Sequence, residues 1–249
     1  MGTHTTGIIE MGHEQHEHYN HYDINTIKRL DEFYGVVSHR MNSRITSMCV
    51  GNTVLDVGCG FGDLTEHLRV QGMSSIGIDM LGNYVDAGRI KFPHADIRLQ
   101  TGNTLDFPDK SFDTIILKDT LHHIFEEADI DSFMQEAKRV TKHRIIFFDP
   151  NPMWLLRMAR RVIGHVDAVC SPQDAISVLQ RHQCVIRKVQ YFDTIALPLS
   201  GGYISRPFVK KKMTSSMVML IDQMLERIYH LLRLDSALSW RYMIVADIQ

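Results

Sequence analysis

The chain has 249 residues, 44% of them hydrophobic and 22% charged, which suits one large or two small globular α/β domains. Its formal net charge of −2 and sequence pI of about 6.7 supply no general attraction for nucleic acid, so we predict no nucleic-acid partner. The four cysteines form no CxxC pair, which argues against a disulfide framework or a zinc knuckle and favours a reducing, cytoplasmic location.

The first 48 residues are predicted to form an N-terminal arm and a helical cap. Residues 1–20 are polar and rich in histidine, without apolar periodicity. A metal-binding tract would have this composition, but a polar arm explains it more simply, and we predict no metal site. Between residues 25 and 48, apolar side chains recur every three or four positions, which predicts an amphipathic helix leading into the core.

Short apolar segments alternate with helical segments along the rest of the chain. The predicted strands are residues 53–57, 75–79, 96–100, 112–117, 144–148, 184–192 and 242–248. Helical patterns separate the strands over most of this length. The alternation predicts an α/β protein with a parallel sheet and helices on both faces.

The strongest local signal is the glycine-rich segment that follows the first predicted strand. Asp56 lies in that strand, and Gly58, Gly60 and Gly62 follow it in a G-x-G-x-G spacing. Glycines between a strand and a helix permit a sharp turn and let a ligand approach the backbone. A dinucleotide site would prefer G-x-G-x-x-G, so this spacing argues against a nucleotide-dependent oxidoreductase. Asp79 ends the next strand, where a carboxylate can bind both hydroxyls of a ribose.

With these features, residues 52–150 resemble the class I S-adenosylmethionine (SAM)-dependent methyltransferases, in particular the small-molecule subgroup that includes quinone-biosynthesis methyltransferases. The resemblance implies a Rossmann-like, seven-stranded, mostly parallel sheet with helices on both faces and an antiparallel last strand. It also implies SAM as the cofactor, with residues 56–62 around the methionine part, Asp79 on the ribose and Met80 on the adenine. The residues implied to bind the cofactor are Asp56, Gly58, Cys59, Gly60, Gly62, Asp79, Met80, Asn103, Thr104 and Lys118.

Two positions depart from the pattern of that family. The residue that contacts the adenine edge is usually an aspartate, and here it is Asn103. Its amide oxygen can still accept a hydrogen bond from the adenine amino group, without assistance from a charge. The turn before the fifth strand usually contains Lys-Pro-Gly-Gly, whereas residues 141–144 are Thr-Lys-His-Arg. We therefore expect a different turn there.

Residues after the fourth strand are candidates for contact with the methyl acceptor. Methyl transfer from a sulfonium requires mainly alignment, but a hydroxyl acceptor must also lose its proton. Asp119, His122 and His123 would share one face if the chain becomes helical directly after the strand. Histidine abstracts protons near neutral pH, so we predict catalytic roles for these three residues. Local packing or metal binding by the histidines stays open, although a histidine at position 122 disfavours magnesium, which prefers oxygen ligands.

The C-terminal third is predicted to complete a methyltransferase domain that spans residues 49–249. In the family, acceptor choice usually lies in insertions, and we predict that residues 194–239 form a substrate cap of this kind. The segment contains Arg206, three lysines at 210–212 and an apolar, methionine-rich helix. That helix either packs against the sheet or a second subunit, or it contacts an acceptor or a membrane surface. A homodimer and peripheral membrane contact through residues 206–232 are therefore alternatives.

The leading hypothesis is a SAM-dependent methyltransferase that acts on a small-molecule acceptor. O-methylation is favoured because histidines lie at the expected place, and a quinone-like aromatic, a lipid or a glycan intermediate would fit as acceptor. The alternative is a SAM-binding partner or sensor protein without turnover. Only the enzyme would release S-adenosylhomocysteine when it is given the right acceptor.

Overall fold

The computed structural model describes residues 33–101, 104–127, 129–154, 158, 170–201 and 212–249. We number the elements in chain order. The helices are α1 (Phe33–Thr46), α2 (Asp63–Val70), α3 (Gly82–Lys91), α4 (Leu121–Glu127), α5 (Ile130–Val140), α6 (Pro172–Arg181), α7 (Ala196–Ser200), α8 (Lys212–Leu231) and α9 (Asp235–Leu238). The strands are β1 (Thr53–Val57), β2 (Ser74–Asp79), β3 (Asp96–Leu99), β4 (Phe112–Lys118), β5 (Thr141–Pro150), β6 (Val185–Phe192) and β7 (Arg241–Asp247).

The seven strands form one sheet in the order β3-β2-β1-β4-β5-β7-β6. The first five strands of the chain pair in parallel, and β7 pairs antiparallel with both β5 and β6. This arrangement confirms the predicted Rossmann-like fold, including the antiparallel last strand. Because the strand order reverses direction at β1, the carboxyl ends of β1 and β4 form the crevice where such sheets bind ligands.

Both faces of the sheet are buried. The adjacent residues Phe147 and Phe148 are both fully buried, yet they belong to two different hydrophobic clusters. Successive side chains of a strand point to opposite faces, so the two clusters lie on either side of the sheet. This burial explains why the central strands are continuous apolar runs rather than alternating ones.

Helix α1 occupies residues 33–46 of the predicted 25–48 helix, and the preceding arm lies outside the described residues. Its side chains Val37, Met41 and Ile45 are completely buried in one of the two clusters. The helical cap is therefore packed directly on the sheet. Within the predicted 194–239 insertion the structure describes α7, α8 and α9, whereas residues 202–211 lie outside the description.

The largest difference from the predicted strands is at the start of β5. Helix α5 ends at Val140 and the strand begins at Thr141, so the residues expected in a turn belong to the strand. The Lys110 ammonium donates hydrogen bonds to the carbonyls of Lys138, at 3.0 Å, and Thr141, at 2.8 Å. Because this side chain satisfies carbonyls at the helix end, the chain needs no glycine there.

None of the helices within the described residues combines the length and the apolar character needed to cross a membrane.

Candidate active site

The glycine turn after β1 folds back onto the end of β2. The backbone N–H groups of Gly58 and Cys59 both donate to the carbonyl of Ile78, at 2.8 and 3.0 Å. Gly58, Gly60 and Gly62 all have left-handed backbones, with φ of +68°, +55° and +78°. Side chains other than glycine rarely adopt this region, so the three glycines are required by the path of the chain.

The three glycines differ in what surrounds them. A Cβ on Gly58 would collide with the side chain of Thr120, and one on Gly62 would collide with Ile97. A Cβ on Gly60 would meet only the Tyr84 ring, at 4.0 Å. Among the described residues, no atom other than the Tyr84 ring lies within 4 Å of that position, which suits the close approach of a ligand to this turn.

Asp79 connects the glycine turn to the start of α3. One carboxylate oxygen accepts from the Gly60 N–H at 2.8 Å, and the other accepts from the Leu81 N–H at 2.9 Å. The side chain is buried, and this burial raises its pKa, while the backbone N–H groups of Leu81, Gly60 and Met80 act in the opposite direction. Each oxygen has two lone pairs, so each can accept one further hydrogen bond from a ligand hydroxyl. Met80 is 48% exposed directly beside this carboxylate.

The Asp56 carboxylate is buried and bonds to helix α2. Its carboxylate accepts a 2.8 Å hydrogen bond from the Thr65 hydroxyl in α2. The residue is 1% exposed, and its other oxygen has no hydrogen-bond partner among the described residues. Burial without a paired cation raises the pKa of this carboxyl to about 6. Cys59 is half-buried next to it, and burial raises the pKa of that thiol as well.

The end of β4 is tied to the glycine turn and to α1. The Thr120 hydroxyl lies 3.2 Å from the Gly58 carbonyl and 3.0 Å from the Lys118 carbonyl. The Lys118 ammonium donates to the Asn42 side chain at 2.9 Å, and burial lowers its pKa. Lys118 therefore offers its backbone to the crevice, while its side chain is held by α1. Thr104 is exposed, and Asn103 lies outside the described residues.

His122 is fixed by a carboxylate that the sequence analysis did not identify. Its Nδ1 lies 3.0 and 3.1 Å from the two carboxylate oxygens of Asp149, near the end of β5. Both residues are buried. The His123 ring packs on the His122 ring at a centroid distance of 4.1 Å. A carboxylate at Nδ1 selects the tautomer in which Nδ1 carries the proton, which makes Nε2 the basic nitrogen.

Asp119 does not share a helical face with the histidines, because α4 begins only at Leu121. Its backbone is left-handed, with φ of +58°, and its carboxylate pairs with the buried Arg241 guanidinium at the start of β7. The prediction that Asp119 shares one helical face with His122 and His123 was therefore wrong. Burial lowers the pKa of Arg241 to about 10, so that guanidinium still carries its charge at neutral pH.

A second buried group of charges lies between α1, α8 and the segment after β6. We call Arg40, Arg44, Asp193, Asp222 and Glu226 the arginine–carboxylate network. Arg40 pairs with Asp193 at 2.7 Å and also with Asp222, and Arg44 pairs with Glu226 at 2.6 Å. The three carboxylates lie close enough together to surround a cation. Because each carboxylate pairs with at least one guanidinium, we describe the network as a set of ion pairs.

Comparison with known proteins finds similarity to methyltransferases. The family profile of the methyltransferase domain matches residues 55–148. An uncharacterized methyltransferase of Alkaliphilus oremlandii is 31% identical over 134 residues, which cover 49% of this chain and 61% of the relative. A demethylmenaquinone methyltransferase of Tropheryma whipplei is 33% identical over 106 residues, which cover 41% of this chain and 43% of the relative. The chain thus matches less than two thirds of the length of either relative.

One solved structure extends the likeness over the whole fold. Magnesium protoporphyrin IX methyltransferase from Synechocystis, with bound SAH, superimposes with a TM-score of 0.62 at 13% identity. The superposition covers 96% of this chain and 100% of that one. At this identity the likeness concerns the fold alone.

Proposed function

We propose that this protein is an active SAM-dependent methyltransferase, because a methyltransferase-domain profile matches residues 55–148 and the similar proteins are methyltransferases. It transfers a methyl group from SAM to a small-molecule acceptor, and an oxygen atom of that acceptor is the favoured position. A quinone-like aromatic acceptor is consistent with the demethylmenaquinone methyltransferase among its relatives. A lipid or glycan intermediate with an acidic hydroxyl would meet the same chemical need.

The observation that carries the proposal is the hydrogen bonding of Asp79 at the glycine turn. The carboxylate is held by the N–H groups of Gly60 and Leu81, so its remaining lone pairs have fixed directions for the two hydroxyls of a ribose. The open space beside Gly60 is a cradle that a Cβ would fill, and it suits the methionine part of SAM. When bound, SAM supplies a methyl group that is already activated by its sulfonium.

His122 is the group best placed to take a proton from a hydroxyl acceptor. Asp149 holds its Nδ1, so Nε2 would accept the proton that a hydroxyl acceptor loses when it takes the methyl group supplied by SAM. The carboxylate of Asp149 stabilises the imidazolium that results. His123 packs against the ring and restricts its rotation. Asp119, held by Arg241, takes the role of positioning the end of β4 rather than that of a base.

Calorimetry with SAM and S-adenosylhomocysteine tests the cofactor site. We expect both to bind, and Asp79→Asn to weaken both by about 10- to 100-fold, because a charge-assisted hydrogen bond contributes roughly 1.5–3 kcal/mol. Asp96→Asn is the matched control, since Asp96 is an exposed carboxylate on the neighbouring strand that pairs with Arg98. An absence of binding by the folded wild type would contradict the proposal.

Release of S-adenosylhomocysteine with a panel of hydroxylated aromatics tests turnover. His122→Ala is expected to lower kcat by about 10²- to 10⁴-fold with SAM affinity preserved, as general-base catalysis contributes that much. Asp149→Asn should lower kcat in the same direction because it removes the group that fixes the tautomer. Unchanged turnover in His122→Ala and His123→Ala would exclude a histidine base. Binding without product for any acceptor would favour a SAM sensor instead.

A further inference from the structure

The outward side of helix α8 carries a continuous apolar stripe. Six large apolar side chains on this side are each at least 40% exposed, and apart from one adjacent pair they recur every three or four residues. They are Met217 at 56%, Leu220 at 59%, Ile221 at 40%, Met224 at 54%, Ile228 at 45% and Leu231 at 81%. Leu232 and Leu234 extend the exposed stripe beyond the helix, at 58% and 41%. We call these eight residues the α8 stripe.

The inward side of the same helix is already packed. Val218 and Met219 are buried in the hydrophobic cluster that includes α1. A helix that is apolar on both sides is expected in the interior of a protein or an assembly, yet here one side faces outward. Contiguous exposed apolar surface of this kind marks an interaction site, whereas single exposed apolar residues do not.

The distribution of charge on α8 indicates what covers the stripe. Asp222 and Glu226 are its only acidic residues, and both point inward to Arg40 and Arg44. The basic residue on the outward side is Arg227, which is exposed and lies beside the stripe. The exposed His230 follows it and pairs with Asp235 at 3.0 Å.

More basic residues flank the helix. The exposed Arg233 follows it, and in the sequence Lys212 is its first residue, preceded by two further lysines. Among the described residues, no carboxylate lies within ion-pair distance of Arg227 or Arg233. The stripe is therefore bordered by positive charge.

We propose that α8 lies flat on an anionic lipid surface, with the α8 stripe in the boundary between headgroups and acyl chains. Apolar side chains on one side with basic residues at the margin are the features of a helix that binds in the plane of a membrane. Lipid phosphates supply the anions that Arg227 and Arg233 meet. A second copy of this chain fits less well, because its own α8 would bring the same positive border and no carboxylate.

The arginine–carboxylate network holds the α8 stripe in its place in the folded protein, before any contact with lipid. Asp222 accepts hydrogen bonds from the backbone N–H groups of Thr194, Ile195 and Ala196, at 2.7–2.9 Å, in addition to its pairing with Arg40. These contacts fix α8 against α1 and the start of α7. The stripe therefore does not depend on folding at the membrane, which would carry an entropic cost.

Flotation with lipid vesicles tests the inference. The full chain is mixed with vesicles of phosphatidylcholine alone or with phosphatidylglycerol added, and we expect at least about tenfold more bound protein in the second case. Replacement of Leu220, Met224 and Ile228 by glutamine should abolish binding. Arg227→Gln alone should weaken it about fivefold, since a basic residue near an anionic surface contributes about 1 kcal/mol.

The matched control replaces Val70, Ile90 and Leu99 by glutamine, because these three are as exposed as the α8 residues and lie elsewhere in the fold. It should float like the wild type. SAM binding by each variant verifies that it is folded. Equal binding to neutral and anionic vesicles, or none, would overturn the inference, and so would a wild-type dimer that the α8 variant converts to a monomer.

Discussion

Two regions of the molecule bury carboxylates, and the carboxylates have different kinds of partners in the two regions. At the glycine turn, Asp56 and Asp79 meet a hydroxyl and backbone N–H groups, and no described cation pairs with either. In the arginine–carboxylate network, Asp193 and Asp222 meet the Arg40 guanidinium. In the first region the carboxylates form no direct ion pair with a described cation and keep the capacity to accept hydrogen bonds from a ligand. In the second region the carboxylates pair with arginines, and these ion pairs stabilise the fold.

The largest effect should come from breaking the network. Arg40→Met leaves two buried carboxylates without their principal cation, so we expect it to lower the free energy of unfolding by about 3–5 kcal/mol. Urea denaturation at neutral pH measures this. Arg98→Met, which removes an exposed pair with Asp96, is the control and should cost far less. Equal losses in the two variants would mean that the network does not differ from surface charge.

A substitution that causes a collision at the glycine turn should weaken SAM binding rather than unfold the protein. Gly58→Ala places a Cβ against Thr120, which displaces the turn, and we expect about 100-fold weaker SAM binding, or roughly 3 kcal/mol. Gly72→Ala is the matched control, because its φ of +87° imposes comparable backbone strain with no atom within 4 Å of the new Cβ. Calorimetry should find wild-type affinity in that control. Equal affinities in both variants would remove the collision as the cause.

The smallest predicted effect is a pH dependence. Burial raises the pKa of Asp56 from its ordinary 3.8 to about 6, so the native state binds a proton more tightly than the unfolded chain does. Stability contributed by this group is therefore lost as pH rises from 4 to 6. Asp56→Asn has no carboxyl group to titrate at this position. The free energy of unfolding of the variant minus that of the wild type should therefore increase by about 2 kcal/mol between pH 4 and pH 6.

Asp222→Asn should change the pH dependence of stability in the opposite direction. Arg40 and the surrounding N–H groups lower the pKa of Asp222 despite its burial, so its contribution to stability is present above 3.8 and is lost as pH falls below that value. This variant should therefore lose most relative to wild type near neutral pH. Parallel pH profiles for the two asparagine variants would contradict the distinction between Asp56 and Asp222. That distinction does not extend to Asp193, because burial raises its pKa to about 6.

The sequence predicted the glycine turn well because the turn is local. Strand β1, its glycines and Asp79 lie within about 30 residues, and their spacing follows from one strand–turn–helix unit. The fold was predicted for a similar reason, since each strand between 53 and 148 is a short apolar run bounded by turn residues. The sequence pattern of α8 also indicated an apolar helix. It did not indicate which side faces outward, because apolar residues occupy both sides.

The parts that escaped prediction join distant positions. Arg40 and Asp222 are 182 residues apart, and no spacing along the chain indicates that they meet. The partner of His122 is Asp149, which lies 27 residues away on β5, and no spacing pattern connects the two. An isolated acid at the end of a buried strand was the available signal, because such a carboxylate requires a partner.

The position of β7 in the sheet determines when the sheet can finish folding during synthesis. This strand is made after β6 but inserts between β5 and β6, so until it arrives the hydrogen-bonding edge of β5 is open and β6 has no neighbour. Arg241, the partner of Asp119, arrives with it. A nascent chain therefore exposes an unpaired edge during synthesis, which invites association with other chains. Removal of β7 should yield aggregates rather than a smaller functional domain.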